Sequence, residues 1–127
     1  MTSIHTNRQT GTVAAFVLCS WLGEYVHNLV ETPQMGLFSP ENSLTFLVSL
    51  LLFVGWWILP YKRLIASLLL TWALLHLIGG AVVTVIPFPF LPFYPEQNLR
   101  HYLAHIFYGL AQLPLLWAMF RQLRPIQ

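Results

Sequence analysis

Four apolar stretches, each about as long as a membrane-spanning helix, most constrain how this chain can fold. They cover residues 12–30, 44–59, 64–86 and 99–120 of the 127-residue sequence. A helix needs about 20 apolar residues to cross a hydrocarbon core of about 30 Å. Lipid offers no hydrogen-bond partners to the backbone, so each spanning segment must satisfy its own polar groups. The pattern predicts an all-α, integral membrane four-helix bundle with antiparallel spans, formed by residues 1–127 as a single transmembrane domain.

The composition excludes several other classes of protein. Only 8% of the residues are charged and 57% are hydrophobic, whereas soluble domains carry about 25% charged residues. No basic cluster is long enough to bind nucleic acid, and Cys19 is the only cysteine, which excludes an internal disulfide. The lipid bilayer is therefore the expected partner, and a second copy or another membrane subunit stays open.

Prolines and glycines separate the apolar stretches. Pro33 and Gly36 break the chain after the first span, and Pro60 closes the second. Residues 87–98 form a loop rich in proline and aromatic residues, in which alternating prolines exclude a helix. We expect this loop either to rest at the membrane surface or to cover the outer mouth of the bundle.

The basic residues predict the orientation. Five of the six fall on one side of the predicted membrane and only Arg100 on the other; the five are Arg8, Lys62, Arg63, Arg121 and Arg124. Loops rich in Lys and Arg stay in the cytoplasm. Both termini are therefore expected in the cytoplasm of a multi-pass membrane protein, in the plasma (inner) membrane if the chain is bacterial.

Polar residues inside the spans carry most of the functional signal, because a charged group at mid-membrane costs roughly 2.5–3.5 kcal/mol. Spacings of three and four place them on one helical face of the first span and one of the fourth. The first span carries Ser20, Glu24, His27, Asn28 and, at its end, Glu31, and the fourth carries His101, His105, Tyr108 and Gln112. The opposite face of the fourth span suits lipid; it comprises Leu103, Phe107, Leu110 and Leu113.

The third span adds His76, and its glycines allow another helix to approach closely. The expected helix-packing positions are Gly79, Gly80 and Gly109. Counted inward from the helix ends, the carboxylate and four imidazoles fall in the outer half of the bundle. We therefore expect one outer-leaflet cavity lined by Glu24, His27, His76, His101 and His105.

The first interpretation of this cluster is a metal site. Imidazole and carboxylate bind zinc, iron or copper, and His101 and His105 lie one helical turn apart. A divalent metal ion is one candidate cofactor, and haem b held by His76 and His105 is another. Ser20, Asn28, Tyr108 and Gln112 would support the ligands. Such a site would serve redox or hydrolytic chemistry, although the sequence identifies neither a catalytic residue nor a substrate.

Two alternatives remain open. In one, Glu24 exchanges protons in a small proton-coupled transporter and the histidines relay them. In the other, the Glu/His cluster is structural and holds together a non-catalytic accessory membrane subunit. Whether the protein is an enzyme is left open.

Two motifs also suggest a family. Residues 75–80 read Leu-His-Leu-Ile-Gly-Gly and, after the aromatic and proline-bearing loop, residues 105–109 read His-Ile-Phe-Tyr-Gly. Over about residues 74–116 the chain resembles the YjdF-type bacterial inner-membrane proteins, which have no assigned activity. The resemblance implies a membrane location.

Overall fold

The computed structural model describes residues 2–125, with side chains from residue 8 onward. This part of the chain is helical and contains no strand. The helices are α1 (Thr2–Glu31), α2 (Pro40–Ile58), α3 (Lys62–Leu74) and α4 (Leu99–Leu123), and α3 continues through a π-helical segment (Leu75–Val82) and a short 3₁₀ turn (Val83–Val85). The four segments Arg8–Glu31, Pro40–Ile58, Lys62–Val85 and Leu99–Leu123 are long and apolar enough to cross a membrane. The expected all-helical fold with four helices of spanning length is confirmed.

The helices pack in a ring, each against its neighbours in the chain, and α4 closes the ring against α1. The α1–α4 interface is the most extensive. The first and fourth spans, which carry most of the polar residues, are therefore direct neighbours.

Two helices begin earlier than the apolar pattern indicates. α1 starts at Thr2, because helix formation propagates through polar residues as long as no breaker intervenes. α2 starts at Pro40 with Ser39 at the N-cap position, since proline suits the first turn, where its missing N–H is not needed. Hydrophobicity locates the part of a helix that contacts lipid and not the point at which the helix begins.

The third span is irregular where a regular helix was expected. It changes from α-helix to π-helix at Leu75, and the N–H of Val83 bonds the carbonyl of Ile78, five residues back. Gly79 and Gly80 lie in this segment and weaken its α-helical preference. Such π-helical turns are rare and occur frequently at functional sites.

α4 begins with a cap and places two different faces on its two sides. The Asn98 side chain accepts a hydrogen bond from the N–H of His101 at 2.9 Å, which satisfies one of the free donors of the first turn. The lipid face expected from the sequence is exposed; it consists of Leu103, Phe107, Leu110 and Leu113. The polar residues of α4 consequently point into the bundle.

The two ends of the bundle differ in charge. The connections α1–α2 and α3–α4 lie at what we term the acidic end, with Glu31, Glu41 and Glu96; the other end is termed the basic end. The interior near the basic end is filled by side chains that are almost completely buried, namely Val13, Leu69, Leu115 and Met119. Lys62 closes this end by donating to the carbonyls of Trp56 and Trp57.

Glycine is needed for close approach at two positions, Gly80 and Gly23. A Cβ on Gly80 would lie 2.6 Å from the Tyr108 hydroxyl, whereas one on Gly109 would make ordinary contact, 3.5 Å from the Cβ of Ala81. A Cβ on Gly23 would overlap the side chain of Ala111. Gly79, expected at a helix contact, faces open space, because no atom lies within 4 Å of where its Cβ would be. Gly23 takes its place among the packing glycines.

Candidate functional site

A cavity of about 650 Å³ lies at the acidic end, between α1, the π-helical segment and α4. Its polar lining includes four of the five expected cluster residues. The polar side chains that line it include Glu24, His27, Glu31, His101, His105 and Tyr108. Phe93, Pro95 and Glu96 of the loop 87–98 form part of its wall. This loop therefore does more than rest beside the bundle, since it borders the mouth of the cavity.

One ring nitrogen of His105 is fixed by the irregular third span. Its Nδ1 lies 3.1 Å from the carbonyl oxygen of Ala81. In a continued π-helix, the N–H of residue 86 would donate to that carbonyl. Because the helical structure ends at Val85, the carbonyl is left to accept from His105. Because a carbonyl only accepts, Nδ1 of His105 carries the hydrogen. In the neutral ring, Nε2 of His105 then carries a lone pair.

The hydrogen on His27 is fixed by a chain of amides. Asn42 is fully buried, and its Nδ2 donates to the carbonyl of Gly36 at 2.9 Å. Its Oδ1 consequently accepts from Nδ2 of Asn28 at 2.7 Å. The side-chain oxygen of Asn28, Oδ1, lies 3.1 Å from Nδ1 of His27. Because this oxygen only accepts, Nδ1 of His27 must donate to it. In a neutral His27 ring, Nε2 therefore also carries a lone pair.

The two Nε2 atoms lie next to each other. Nε2 of His27 lies 3.1 Å from Nε2 of His105, and the ring centroids are 4.4 Å apart at an interplanar angle of 74°. Two neutral imidazoles with both Nδ1 atoms protonated have no hydrogen to share at this contact. A cation between the two Nε2 atoms, either a proton or a metal ion, would turn this repulsive contact into an attractive one.

His101 stands beside this pair with the same arrangement. Its Nδ1 lies 2.6 Å from Oε2 of Glu31, and its ring centroid lies 4.4 Å from that of His105. Its Nε2 is buried and has no hydrogen-bond partner. The second oxygen of Glu31, Oε1, is likewise buried without a partner. In all three imidazoles, Nδ1 thus contacts an oxygen atom of the protein, and Nε2 is left to bind a ligand.

The remaining two residues of the expected cluster form a second group. Nδ1 of His76 lies 2.5 Å from the Tyr108 hydroxyl and 3.7 Å from Oε2 of Glu24. The longer distance exceeds that of a hydrogen bond, and Oε2 of Glu24 is buried without a partner. The Tyr108 ring also contacts His27, with centroids 5.2 Å apart, so that Tyr108 lies between the two groups.

Ser20 and Gln112 form a separate polar link below the cavity. The Ser20 hydroxyl donates to Oε1 of Gln112, and Nε2 of Gln112 donates back to the Ser20 carbonyl at 3.0 Å. Both residues are buried, and neither contacts a cluster histidine. Their hydrogen bonds join α1 to α4, and the support that the sequence predicts from them for the ligands stays a prediction.

The structure therefore divides the expected cluster into two. His27, His101 and His105 lie together, whereas Glu24 and His76 lie with Tyr108. Within residues 8–125, whose side chains the structure describes, no group of three or more His, Cys, Asp or Glu side chains is already placed to hold a metal ion. His76 and His105, the two residues considered as ligands of haem b, direct their Nδ1 atoms to different partners, the Tyr108 hydroxyl and the Ala81 carbonyl.

Sequence reasoning missed three parts of this site. Asn42 precedes the apolar stretch 44–59 and so was not among the polar residues counted inside the spans, although the Ser39-Pro40 sequence already supplies a helix start and leaves Asn42 free to turn inward. Glu31 shares the polar face of the first span, but it lies at the end of that span and was not included in the predicted cluster. The Ala81 carbonyl belongs to the backbone, and no side-chain pattern could have indicated it.

No protein-family model, no curated protein and no solved structure matches this chain. The geometry of the cavity is therefore the basis on which a function can be assigned.

Proposed function

We propose that this chain is a multi-pass membrane protein that binds a divalent transition-metal ion such as Zn²⁺ through His27, His101 and His105. The observation that carries the proposal is the contact between the Nε2 atoms of His27 and His105 at 3.1 Å. Each of these atoms carries a lone pair when the rings are neutral, because the ring hydrogen is on Nδ1, which donates to Asn28 in His27 and to the Ala81 carbonyl in His105. Neutral imidazole is the form of histidine that binds a metal ion.

The separation of the two nitrogens suits a shared metal ion. Zinc–nitrogen bonds of about 2.0–2.1 Å in a tetrahedral site place two ligand nitrogens about 3.3 Å apart. The observed 3.1 Å differs from that value by an amount that small ring rotations would supply.

The Nδ1 contacts support the same proposal. Histidines that bind metal ions almost always donate the other ring N–H to a carboxylate, a carbonyl or a water molecule, which fixes the ring orientation. Here the three acceptors are the Asn28 amide oxygen, the Ala81 carbonyl and the Glu31 carboxylate. Only His101 must turn to bring its unpartnered Nε2 to an ion held by the other two.

A metal ion bound by three histidines would have an open fourth coordination position towards the cavity. Catalytic zinc sites typically have three protein ligands and leave the fourth place to water or substrate, whereas structural sites are closed. Glu31 would contribute its carboxylate charge next to such an ion and increase the electron density on His101. This arrangement favours a metal-assisted reaction of a small molecule over a structural role for the ion.

The orientation in the membrane belongs to the same proposal. Five of six basic residues lie at the basic end, and this asymmetry favours placing that end and both termini in the cytoplasm. The metal site and the cavity mouth then face the outside.

Cobalt binding tests the proposal, because tetrahedral Co²⁺ gives visible absorption bands that report its ligands. The sample is the full chain in lipid nanodiscs, with any affinity tag removed and with His5→Ala as the background, which eliminates the fifth histidine. We expect one Co²⁺ per chain, displaced by one equivalent of Zn²⁺. Each of His27→Ala, His101→Ala and His105→Ala should lower the affinity by at least 100-fold.

His76→Ala is the matched control, since His76 is a buried histidine of the same bundle that lies outside the three-histidine group. It should bind Co²⁺ as the background does. Absence of binding, or equal loss in all four variants, contradicts the proposal. Nitrogen-15 spectra that show a proton shared between His27 and His105 in metal-treated protein would favour the proton-coupled transporter instead.

A further inference from the structure

The inner part of the cavity carries a buried carboxylate that no protein group neutralises. Glu24 is 9% exposed. The Thr45 side chain hydrogen-bonds to its carboxylate, but Oε2 has no hydrogen-bond partner. Nδ1 of His76 lies 3.7 Å from Oε2 of Glu24. That nitrogen is already hydrogen-bonded to the Tyr108 hydroxyl. A buried carboxylate with an unpartnered oxygen and no opposite charge beside it is costly, so a cation or a proton is expected to accompany it.

The basic side chains of the protein are placed elsewhere. Lys62 donates to carbonyls at the basic end, and Arg63 donates to the Leu123 carbonyl there. At the acidic end, Arg100 lies 3.7 Å from Glu96, and both side chains are 58% exposed. The positive charge that complements Glu24 would therefore have to enter through the mouth of the cavity.

The size and walls of the cavity indicate an organic cation. A volume of about 650 Å³ is typical of small-molecule sites and far exceeds what a bare ion needs. Tyr108 and Phe93 present aromatic rings to the space, and Met35 and Pro95 add apolar surface. A carboxylate combined with aromatic walls is the usual chemistry for recognising an ammonium group.

We infer that this cavity binds an organic ammonium ion, with the Glu24 carboxylate as its counter-ion and the Tyr108 and Phe93 rings beside its carbon chain. The inference rests on Glu24 and the cavity and does not depend on metal binding by the three histidines. If both sites are occupied together, the ammonium compound lies in the space into which the fourth position of the metal ion opens.

Ligand binding to the full chain in nanodiscs, measured by calorimetry with a chelator present, tests this inference. The probe is n-butylammonium, and n-butanol serves as the neutral ligand of the same length. We expect n-butylammonium to bind at least tenfold more tightly than n-butanol. Glu24→Gln should abolish that preference, while Glu41→Gln, a change at an exposed carboxylate, should preserve it.

Glu24→Asp provides the second variant, because it keeps the charge and shortens the side chain. It should bind n-butylammonium more weakly than the unmodified chain and still prefer it to n-butanol. Equal binding of the two ligands, or a preference that survives Glu24→Gln, overturns the inference. Since the chelator removes metal, failure here leaves the cobalt result standing, and failure of cobalt binding leaves this result standing.

Discussion

His27 and His105 meet through their Nε2 atoms at 3.1 Å, and the groups that orient the two rings belong to different parts of the bundle. The Ala81 carbonyl in the π-helical segment orients His105. Asn42 on α2 orients His27 through Asn28. All four spanning segments thus contribute to one contact, which makes its geometry sensitive to residues that never touch a ligand.

Asn42→Ala should therefore weaken the site as well as the fold. The change removes the acceptor for Asn28 and frees the carbonyls of Met35 and Gly36, which Asn42 bonds. Loss of buried hydrogen bonds of this kind costs about 1–3 kcal/mol. We expect a lower melting temperature and a Co²⁺ affinity reduced about tenfold.

Gln34→Ala is the matched control for Asn42→Ala, because it removes an exposed amide side chain from the same connection. It should leave both the melting temperature and the Co²⁺ affinity unchanged. If Asn42→Ala melts like Gln34→Ala, the amide chain does not hold the α1–α2 connection.

Glu31→Gln should separate support of the metal ion from folding. The change keeps the size of the side chain and removes the charge that faces Nδ1 of His101 at 2.6 Å. Loss of such a second partner typically lowers metal affinity 10–100-fold. Cobalt titration should show a decrease in this range, smaller than that of His101→Ala, while the melting temperature changes little. An affinity equal to that of the unmodified chain would exclude His101 as a ligand held by Glu31.

The sequence predicted the all-helical fold because long apolar stretches and helix breakers follow simple rules. Apolar length and prolines located four helices, and the three-and-four spacing of polar residues identified the inward faces of α1 and α4. His105 and Tyr108 are buried and Phe107 and Leu110 are exposed, as that spacing requires. The same rules could not locate the start of α1, since polar residues continue a helix outside the apolar stretch.

The detailed geometry of the site was less predictable. Spacing placed Glu24 and His27 on one face, yet the first lies beside His76 and the second beside His105. Which helix each residue faces depends on the packing of glycines such as Gly23 and on the π-helical turn of the third span. Both are tertiary features, and a pattern read along single helices does not contain them.

Ser20 and Gln112 should be energetically coupled. Gln112→Leu leaves the buried Ser20 hydroxyl without its acceptor and removes the return bond to the Ser20 carbonyl. Such links between helices in membranes contribute on the order of 1 kcal/mol. The double variant Ser20→Ala/Gln112→Leu should lose less free energy of unfolding than the sum of the single variants. Strict additivity in denaturation experiments would show that the two side chains do not stabilise each other.

Two glycine substitutions should disturb different interfaces. Gly23→Ala would overlap Ala111 and push α1 away from α4, and Gly80→Ala would displace the Tyr108 ring. Overpacking of this kind costs typically 1–3 kcal/mol. Gly11→Ala and Gly79→Ala are the controls, because a Cβ at either position meets no atom within 4 Å. Melting temperatures should fall for the first two variants only, and equal melting of Gly79→Ala and Gly80→Ala would contradict the close contact with Tyr108.

Cysteine labelling should reveal the orientation of the bundle. In a Cys19→Ser background, single cysteines are placed at Gln34 and Gln97 for the acidic end and at Arg63 and Arg124 for the basic end. The excess of basic residues at the second end favours its retention in the cytoplasm. A membrane-impermeant maleimide added to intact cells should therefore label Gln34→Cys and Gln97→Cys, and label the other two only after the cells are permeabilised. The opposite pattern would place the cavity mouth in the cytoplasm, and labelling of all four positions in intact cells would indicate insertion in both orientations.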